Sequence, residues 1–219
     1  MQKIIIFGLG QIAQVMYKYL KSSNDYDILG FTVNASYRNI EKLFDLPVVN
    51  FEEVDHFFPP SEFSMFIAMG YSNMNKNREE KYIEAKKMGY KFISYIHSSI
   101  NIWDNVEIGE NCFIFENNVI QPFAKIGNNV IIWSGNHIGH HSTIGDHCFI
   151  SSHVVISGAV TIGNNSFIGV NSTIRDNISI GQNCIIGAGA LILKNIKSYS
   201  VYIAEPTKKY PLRSDEINL

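Results

Sequence analysis

The chain has 219 residues, of which 46% are hydrophobic and 17% are charged, and its formal net charge is -2. This length can bury the core of one large domain or two small ones. The near balance of 18 basic and 20 acidic side chains disfavours nucleic acid and anionic membranes as partners. Neither a membrane-spanning stretch nor a signal peptide is recognised, and three cysteines disfavour a disulfide framework. We therefore expect a soluble, cytoplasmic protein.

Residues 1–95 show the alternation of strand and helix patterns that is typical of an α/β domain. Short apolar runs predict strands, and apolar residues at helical spacing predict helices. The predicted strands cover 3–7, 28–33, 63–68 and 91–95, and the predicted helices cover 11–21 and 75–88. We expect a small parallel sheet with helices packed on it.

A six-residue period organises residues 96–192. All 17 positions of this period are isoleucine, and glycine follows the isoleucine at eight of them. The period fits neither an α-helix nor a half-buried strand, and it is typical of a solenoid. We predict a parallel β-helix with three short faces per coil, in which each face contributes one isoleucine to the interior. The predicted domains are 1–95, the β-helix at 96–197 and a C-terminal tail at 198–219.

The three cysteines each lie four residues after a periodic isoleucine. Cys112, Cys148 and Cys184 are 36 residues apart, which is two coils on one face, or roughly 9.5 Å at the spacing of parallel strands. Disulfide partners need Cα atoms closer than about 7 Å. We therefore expect these side chains to fill the core rather than to form bridges, bind metal or act as nucleophiles.

The isoleucine-led hexads, with glycine in second place, resemble the left-handed β-helix acyltransferases of the hexapeptide-repeat family. Together with the N-terminal βαβ half, the chain looks like the bacterial nucleotide-sugar acetyltransferases grouped with the sialic-acid O-acetyltransferase-like proteins, over about residues 2–210. The resemblance implies an α/β N-terminal domain that binds the nucleotide of the sugar substrate, followed by a left-handed parallel β-helix. It also implies a homotrimer with acetyl-CoA bound between neighbouring chains.

The segment Ile6-Phe7-Gly8-Leu9-Gly10-Gln11-Ile12-Ala13 matches the strand-to-helix turn of this family, where backbone N–H groups meet phosphate. Taken alone, G-x-G-x-x-A would suggest a dinucleotide cofactor. That interpretation needs a carboxylate at the end of the second strand to hold a ribose, and the strand ends at Asn34 instead. Asn34 also stands where the family has an aspartate near the nucleoside. The resemblance makes Gly8, Gly10, Gln11 and Asn34 candidate substrate-binding residues.

A second nucleotide-contacting loop of the family resembles Ala68-Met69-Gly70-Tyr71. We add Gly70 to the candidate substrate-binding residues. Lys76 and Arg78 follow this loop, and they either contact the nucleotide or lie on a solvated helix face.

The resemblance identifies His140 as the general base. Gly139 and His141 replace the acids that usually flank this histidine, so a carboxylate such as Glu116 or Asp146 is a possible substitute. The predicted catalytic residues are His140 and His141. The family places an oxyanion contact near Gly158, and the spacing agrees, because a residue 18 positions after His140 stacks on it in the next coil.

Two C-terminal segments resemble the parts of the family that flank acetyl-CoA. They are Ile186-Gly187-Ala188-Gly189-Ala190 and Ala204-Glu205-Pro206-Thr207-Lys208. The candidate cofactor-binding residues are Gly158, Gly187, Ala188 and Lys208. Tight coil corners also explain the small residues, and a solvated tail also explains the lysine.

Three histidines recur every six residues, at His141, His147 and His153, as a metal cluster could. Each six-residue step moves to another face, however, so within one chain these side chains diverge. We predict no metal site.

These observations predict an acetyl-CoA-dependent N-acetyltransferase (EC 2.3.1) acting on a nucleotide-linked amino sugar of the 4-amino-4,6-dideoxy type. The pathway expected from the resemblance is bacterial surface glycan synthesis, such as the O-antigen of lipopolysaccharide. One alternative is O-acetylation of a sugar, and another is a non-catalytic, nucleotide-sensing β-helix scaffold. UDP, dTDP and GDP all remain open as the nucleotide.

Overall fold

The computed structural model of the chain describes residues 1–209 and 211–217. In the first half, six strands form one sheet in the spatial order β3-β4-β2-β1-β5-β6. They are β1 (Gln2–Phe7), β2 (Tyr26–Val33), β3 (Lys42–Leu43), β4 (Leu46–Asn50), β5 (Ser64–Ile67) and β6 (Lys91–Phe92). Neighbouring strands are parallel, except that β3 and β4 form an antiparallel hairpin.

The β3–β4 hairpin was not predicted from the sequence. Its two-residue turn consists of Phe44 and Asp45, which both have positive φ angles, of 50° and 63°. This backbone suits a type I′ turn, whose usual sequence is Asn-Gly or Asp-Gly. Phe44 tolerates the conformation while its ring stacks on Tyr17, with 4.4 Å between ring centroids.

Three helices accompany the sheet: α1 (Gln11–Ser22), α2 (Val54–Phe57) and α3 (Lys76–Lys87). Alternate residues of β1 face opposite sides of the sheet. Ile4 and Ile6 pack in the cluster that contains the buried residues of α1, whereas Ile5 and Phe7 pack with α2 and α3. The glycine turn between β1 and α1 therefore lies at the carboxyl edge of a sheet that is covered on both sides.

The second half is a β-helix with three faces. Face A contains Tyr95–Ile96, Phe113–Ile114, Ile131–Ile132, Phe149–Ile150, Phe167–Ile168, Ile185–Ile186 and Val201–Tyr202. Face B contains Val119–Ile120, His137–Ile138, Val155–Ile156, Thr173–Ile174 and Leu191–Ile192. Face C contains Glu107–Ile108, Lys125–Ile126, Thr143–Ile144, Thr161–Ile162 and Ser179–Ile180. We call the corners between them edges AB, BC and CA.

Each coil places isoleucine on isoleucine in the next coil. Ile132, for example, pairs with Ile114 below and Ile150 above, and all three side chains are fully buried. The three cysteines are free thiols in the same core, as predicted. Because the ladder begins at Tyr95 and continues to Tyr202, the β-helix extends beyond residue 197 into the segment assigned to the tail.

Face A is the surface on which the N-terminal domain docks. Tyr71 packs against Phe149 and Phe167 at centroid distances of 4.9 and 4.8 Å, and Phe66 packs against Phe113 at 5.4 Å. Such aromatic contacts bury large apolar areas. The two halves therefore share one apolar core along face A.

Arg78 reinforces this docking at edge CA. Its guanidinium is fully buried and donates to Gly70 O, Asn75 Oδ1, Asn129 O, His147 O and Cys148 O. Burial lowers the pKa of Arg78 to about 10, so it stays charged at neutral pH. The expectation that Arg78 contacts nucleotide or lies on a solvated helix face is wrong, because all five of its N–H donors are used. Three bind β-helix carbonyls, and two bind Gly70 and Asn75 of the N-terminal domain. Lys76 is exposed.

Candidate active site

A cleft of about 1240 Å³ opens at the carboxyl ends of β1, β2 and β5. Ligands of open α/β sheets bind at this edge. The cleft is lined by all five predicted substrate-binding residues: Gly8, Gly10, Gln11, Asn34 and Gly70. The structure therefore brings together residues that are up to 62 positions apart in the sequence.

Two of these glycines allow the loops around the cleft to approach closely. Gly8 has φ +121°, and a Cβ atom there would lie 2.8 Å from Ala68 O. A Cβ on Gly70 would lie 2.8 Å from the side chain of Ile12. Gly10 differs, because its Cβ would meet nothing within 4 Å. At Gly10 the open space lies beside the N terminus of α1, where the first backbone N–H groups suit an anion and no side chain caps them.

Asn34 has a partner that the sequence did not reveal. Its Nδ2 donates to Glu52 Oε1 at 2.9 Å, and Ala35 N donates to Glu52 Oε2 at 3.0 Å. The hydrogen bond from Asn34 is the main cause that lowers the pKa of Glu52. An ionised carboxylate only accepts hydrogen bonds, so the Asn34 amide must turn its NH₂ group toward Glu52 and its Oδ1 away from it. No regular spacing signals this pair, which joins β2 to the turn after β4.

His140 lies on edge BC, with its imidazole directly over Gly158 of the next coil. A Cβ on Gly158 would lie 2.7 Å from both Nε2 and Cε1 of the ring, so only glycine leaves room for it. The backbone of His140 is held on both sides, since its N–H donates to Gln121 Oε1 at 2.9 Å and its carbonyl accepts from Ala159 N at 2.8 Å. Among the described residues, the N–H of Gly158 makes no hydrogen bond.

His141 turns its ring back toward His140. The two Nδ1 atoms are 3.1 Å apart, and the ring planes are nearly perpendicular, at 85°. The ring of His141 also stacks on Phe123 of the preceding coil, with centroids 4.6 Å apart. Both predicted catalytic histidines therefore lie at one exposed point of edge BC.

The two carboxylates suggested as partners of His140 lie on other edges. Glu116, on edge AB, accepts from Tyr19 Oη and Ser134 Oγ, both at 2.8 Å. Burial alone would raise the pKa of Glu116, but hydrogen bonds from the backbone, Ser134 and Tyr19 lower it. Asp146, on edge CA, accepts from the backbone of Asn128 at 2.6 Å. Within the described chain, neither carboxylate reaches His140.

The cleft and His140 lie on opposite sides of the β-helix. The N-terminal domain contacts face A and its two flanking edges, through pairs such as Tyr19–Glu116 and Arg78–His147. Edge BC is the edge opposite face A. A ligand in the cleft of one chain is therefore separated from His140 of the same chain by the β-helix itself.

Comparison with known proteins identifies the repeat. The family model of the bacterial transferase hexapeptide (six repeats) matches residues 105–140, 123–158 and 159–194. Over residues 105–194 the coils are therefore similar to bacterial transferase hexapeptide repeats. No curated protein sequence matches the chain.

Solved structures share the fold of nearly the whole chain, including the N-terminal domain. A mutant of perosamine N-acetyltransferase from Caulobacter crescentus, in complex with CoA and GDP-perosamine, has a TM-score of 0.83 at 22% identity, covering 94% of this chain and 95% of that one. The acetyltransferase domain of PglB from Neisseria gonorrhoeae, in complex with acetyl coenzyme A, has a TM-score of 0.82 at 21% identity, covering 95% and 99%. WeeI from Acinetobacter baumannii has a TM-score of 0.81 at 19% identity, covering 95% and 99%. The predicted fold, an α/β domain followed by a left-handed parallel β-helix, is confirmed.

The remaining candidates for acetyl-CoA binding are not beside His140 in this chain. Gly187 and Ala188 lie where the hexapeptide repeats of face A turn into edge AB, and Lys208 is exposed after the last strand. Only Gly158 shares edge BC with the two histidines. His141, His147 and His153 lie on three different edges, and no three metal-binding side chains cluster among the described residues.

In the described part of the chain, no helix combines the length and the apolar character that crossing a bilayer requires.

Proposed function

We propose that the protein is an acetyl-CoA-dependent N-acetyltransferase that acylates the amine of a nucleotide-linked sugar. The observation that carries the proposal is the imidazole of His140 over Gly158, because it places a base beside an unpaired backbone N–H group. The cleft at the glycine turn supports a nucleotide as the other half of the site. The same fold in perosamine N-acetyltransferase accommodates CoA and GDP-perosamine together.

The proposed substrate is a nucleotide-linked amino sugar of the 4-amino-4,6-dideoxy type. The proposed setting is the cytoplasmic stage of bacterial surface glycan synthesis, such as the O-antigen of lipopolysaccharide. The sequence resemblance supports both, and the fold shared with a perosamine N-acetyltransferase supports an amino sugar as the substrate.

The residues of edge BC suit direct transfer. Acetyl-CoA supplies an acyl group activated as a thioester, and the sugar amine is the nucleophile. Nε2 of His140 accepts the proton that the amine loses as its bond to the acyl carbon forms, which an imidazole can do near neutral pH. The N–H of Gly158 donates to the acyl oxygen, where negative charge develops. When the tetrahedral adduct collapses, the C–S bond breaks, and the CoA thiolate leaves as free thiol with the proton that His140 took up.

A covalent acyl-cysteine is not part of this proposal. Burial raises the pKa of Cys112 to about 11 and that of Cys148 to about 12. Reactive cysteines need an accessible thiolate. Both thiols point into the β-helix core, so the amine itself is the nucleophile that attacks the thioester.

We propose that the site is completed by a neighbouring chain in a homotrimer. Face B exposes the apolar side chains of Val119, Val155 and Leu191, as interfaces between copies commonly do. If face B of each copy lies toward a common threefold axis, edge BC of one copy meets edge AB of the next. His140 of one copy then faces Gly187 and Ala188 on edge AB of its neighbour. That edge borders face A, on which the neighbour's N-terminal domain docks with its nucleotide cleft.

The test is release of free thiol from acetyl-CoA across a panel of UDP-, dTDP- and GDP-linked amino sugars. We expect release with one sugar by the wild type, and a fall of about a hundredfold or more in kcat for His140→Asn. Binding of the nucleotide sugar, measured by calorimetry, should be retained in the variant. Matched sugars with a hydroxyl in place of the amine serve as the control.

Three outcomes would contradict the proposal. Acylation of the hydroxyl sugars instead of the amino sugars would favour O-acetylation. Thiol release that survives in His140→Asn would show that His140 is not the general base. Nucleotide-sugar binding without any thiol release would favour the non-catalytic scaffold.

A further inference from the structure

The contact between His140 and His141 has a chemical consequence. A neutral imidazole carries one N–H group and one bare nitrogen. Because the two Nδ1 atoms are 3.1 Å apart, one of them must donate and the other accept. The histidine that donates its Nδ1–H has a bare, basic Nε2, whereas the histidine that accepts carries its proton on Nε2.

His141 is held in place by contacts that do not involve His140. Its backbone has φ +59°, and its N–H donates to Pro122 O at 3.2 Å. Its ring lies nearly flat on Phe123, with 26° between the planes. The Nδ1 atom of His141 is therefore fixed beside His140 by the preceding coil.

Within the described part of this chain, the pair has no carboxylate partner. Among the described residues, the hydrogen bond made by these two rings joins them to each other and not to an acid. Along edge BC itself, the nearest charged groups are Asp104, Asp176 and Arg175, each two coils away, at roughly 9.6 Å. One coil below the histidines, Lys125 begins face C, and its ammonium pairs with Glu107 at 2.8 Å. A protonated His140 is therefore stabilised by a neutral acceptor, and the pair then carries a net positive charge instead of being neutralised by an acid.

Resting on the proposed function of His140, we propose that His141 is its positioning residue. The neutral imidazole of His141 accepts the Nδ1–H of His140 and so keeps the Nε2 lone pair of His140 bare above Gly158. Phe123 supports this arrangement by holding the ring of His141. After His140 takes up a proton at Nε2, its Nδ1–H remains bound to His141.

The residues at the position of His141 in the other coils of edge BC show which substitutions the backbone accepts there. Phe123, Ala159 and Asn177 occupy the position of His141 in other coils, with φ of 66°, 55° and 56°. Alanine and asparagine therefore both fit the backbone at position 141. His141→Ala removes the hydrogen-bond acceptor, and His141→Asn keeps one. His153→Asn is the control for folding, because His153 has φ +58° at the equivalent position on edge AB.

The first measurement is the tautomer of His140, by NMR of protein labelled with nitrogen-15 in histidine, at a pH where the rings are neutral. His140→Asn and His141→Asn assign the two rings by loss of signal. We expect the proton of His140 on Nδ1 and a bare Nε2. A proton on Nε2 of His140 would overturn the proposal. This experiment needs no substrate, so it stands even if the proposed acetyl transfer fails.

The second measurement is the pH profile of kcat/KM for the amino sugar. We expect His141→Ala to lower kcat about 10- to 100-fold with little change in KM for the nucleotide sugar, and His141→Asn to recover part of that loss. His141→Asp differs from His141→Asn mainly in charge. A carboxylate favours protonated His140, so the acid limb of the Asp variant should move to higher pH than that of the Asn variant.

Either of two kinetic results would contradict the proposal. One is a His141→Ala enzyme with wild-type kcat, and the other is coincident acid limbs in the Asn and Asp variants. Loss of activity in His141→Ala that coincides with a lower melting temperature, and that His153→Asn reproduces, would assign His141 a purely structural role.

Discussion

At the scale of single residues, the Asn34 amide is oriented by a side chain that does not line the cleft. Glu52 accepts from both Asn34 and the backbone of Ala35, which leaves Asn34 Oδ1 as an acceptor at the nucleotide cleft. Such an acceptor suits an N–H group of a ligand. The sequence has no carboxylate at the end of β2. Glu52, which follows the neighbouring strand β4, supplies one, and the amide of Asn34 lies between it and the cleft.

Replacing Glu52 by glutamine tests this role. Its amide oxygen can still accept from Asn34, but its NH₂ group would then face the N–H of Ala35, so one of two hydrogen bonds is lost. We expect KM for the nucleotide sugar to rise severalfold with little change in kcat, measured by steady-state kinetics. Glu53→Gln, at the adjacent exposed position, is the control and should leave KM unchanged.

The pH dependence of this contact follows from the pKa of Glu52. The hydrogen bond from Asn34 lowers that pKa below the ordinary carboxylate value of 4.5. The stabilisation is therefore present above the ordinary value and is lost only as the pH falls through the lowered one. Nucleotide affinity that weakens already between pH 7 and 5 in the wild type, but not in Glu52→Gln, would contradict this assignment.

At the scale of elements, each strand of the β-helix has two residues, of which one points into the interior of the β-helix and the other points away from it. Ile162 is almost fully buried, whereas its neighbour Thr161 in the same strand is exposed on face C. Inside the β-helix, the side chains of each coil contact only those of the coils above and below, so a vacancy in the interior is not filled from elsewhere. The inward isoleucine therefore determines the stability of its coil.

We expect Ile162→Ala to lower the free energy of unfolding by about 2–5 kcal/mol, since it leaves a cavity in a packed core. Thr161→Ala should change it by less than about 0.5 kcal/mol. Urea denaturation followed by circular dichroism compares the two variants. Equal losses in both would show that the outward side of face C is also packed against something.

The sequence predicted the inward isoleucine of each face because this signal is local and repeated. The register Ile132 on Ile150 needs only the spacing of 18. Other contacts have no such period: Arg78 joins the two halves by reaching Cys148 across 70 positions, and within the N-terminal domain Asn34 reaches Glu52 across 18 positions without a repeat. The first contact depends on how the N-terminal domain docks on face A, and the second depends on the pairing of β2 with β4. No local pattern encodes either.

At the scale of the whole molecule, the separation of the cleft from His140 predicts a site made by two chains. Two different inactive variants should then restore each other. His140→Asn keeps the nucleotide cleft, and Gly10→Glu keeps the base while placing a carboxylate beside the phosphate position. The glutamate fits because Gly10 has an extended backbone, with φ -72° and ψ 178°, and open space at its Cβ.

Mixed trimers of these two variants contain sites in which an intact cleft from one chain meets an intact His140 from the next. Random assembly of equal amounts gives such a pairing at about a quarter of the sites in a cyclic trimer. We therefore expect co-expressed variants to recover about a quarter of wild-type thiol release, while separately assembled trimers mixed afterwards stay inactive. If co-expression restores nothing although mixed trimers form, the cleft and the histidine of one chain must act together, and the β-helix cannot separate them as the fold indicates.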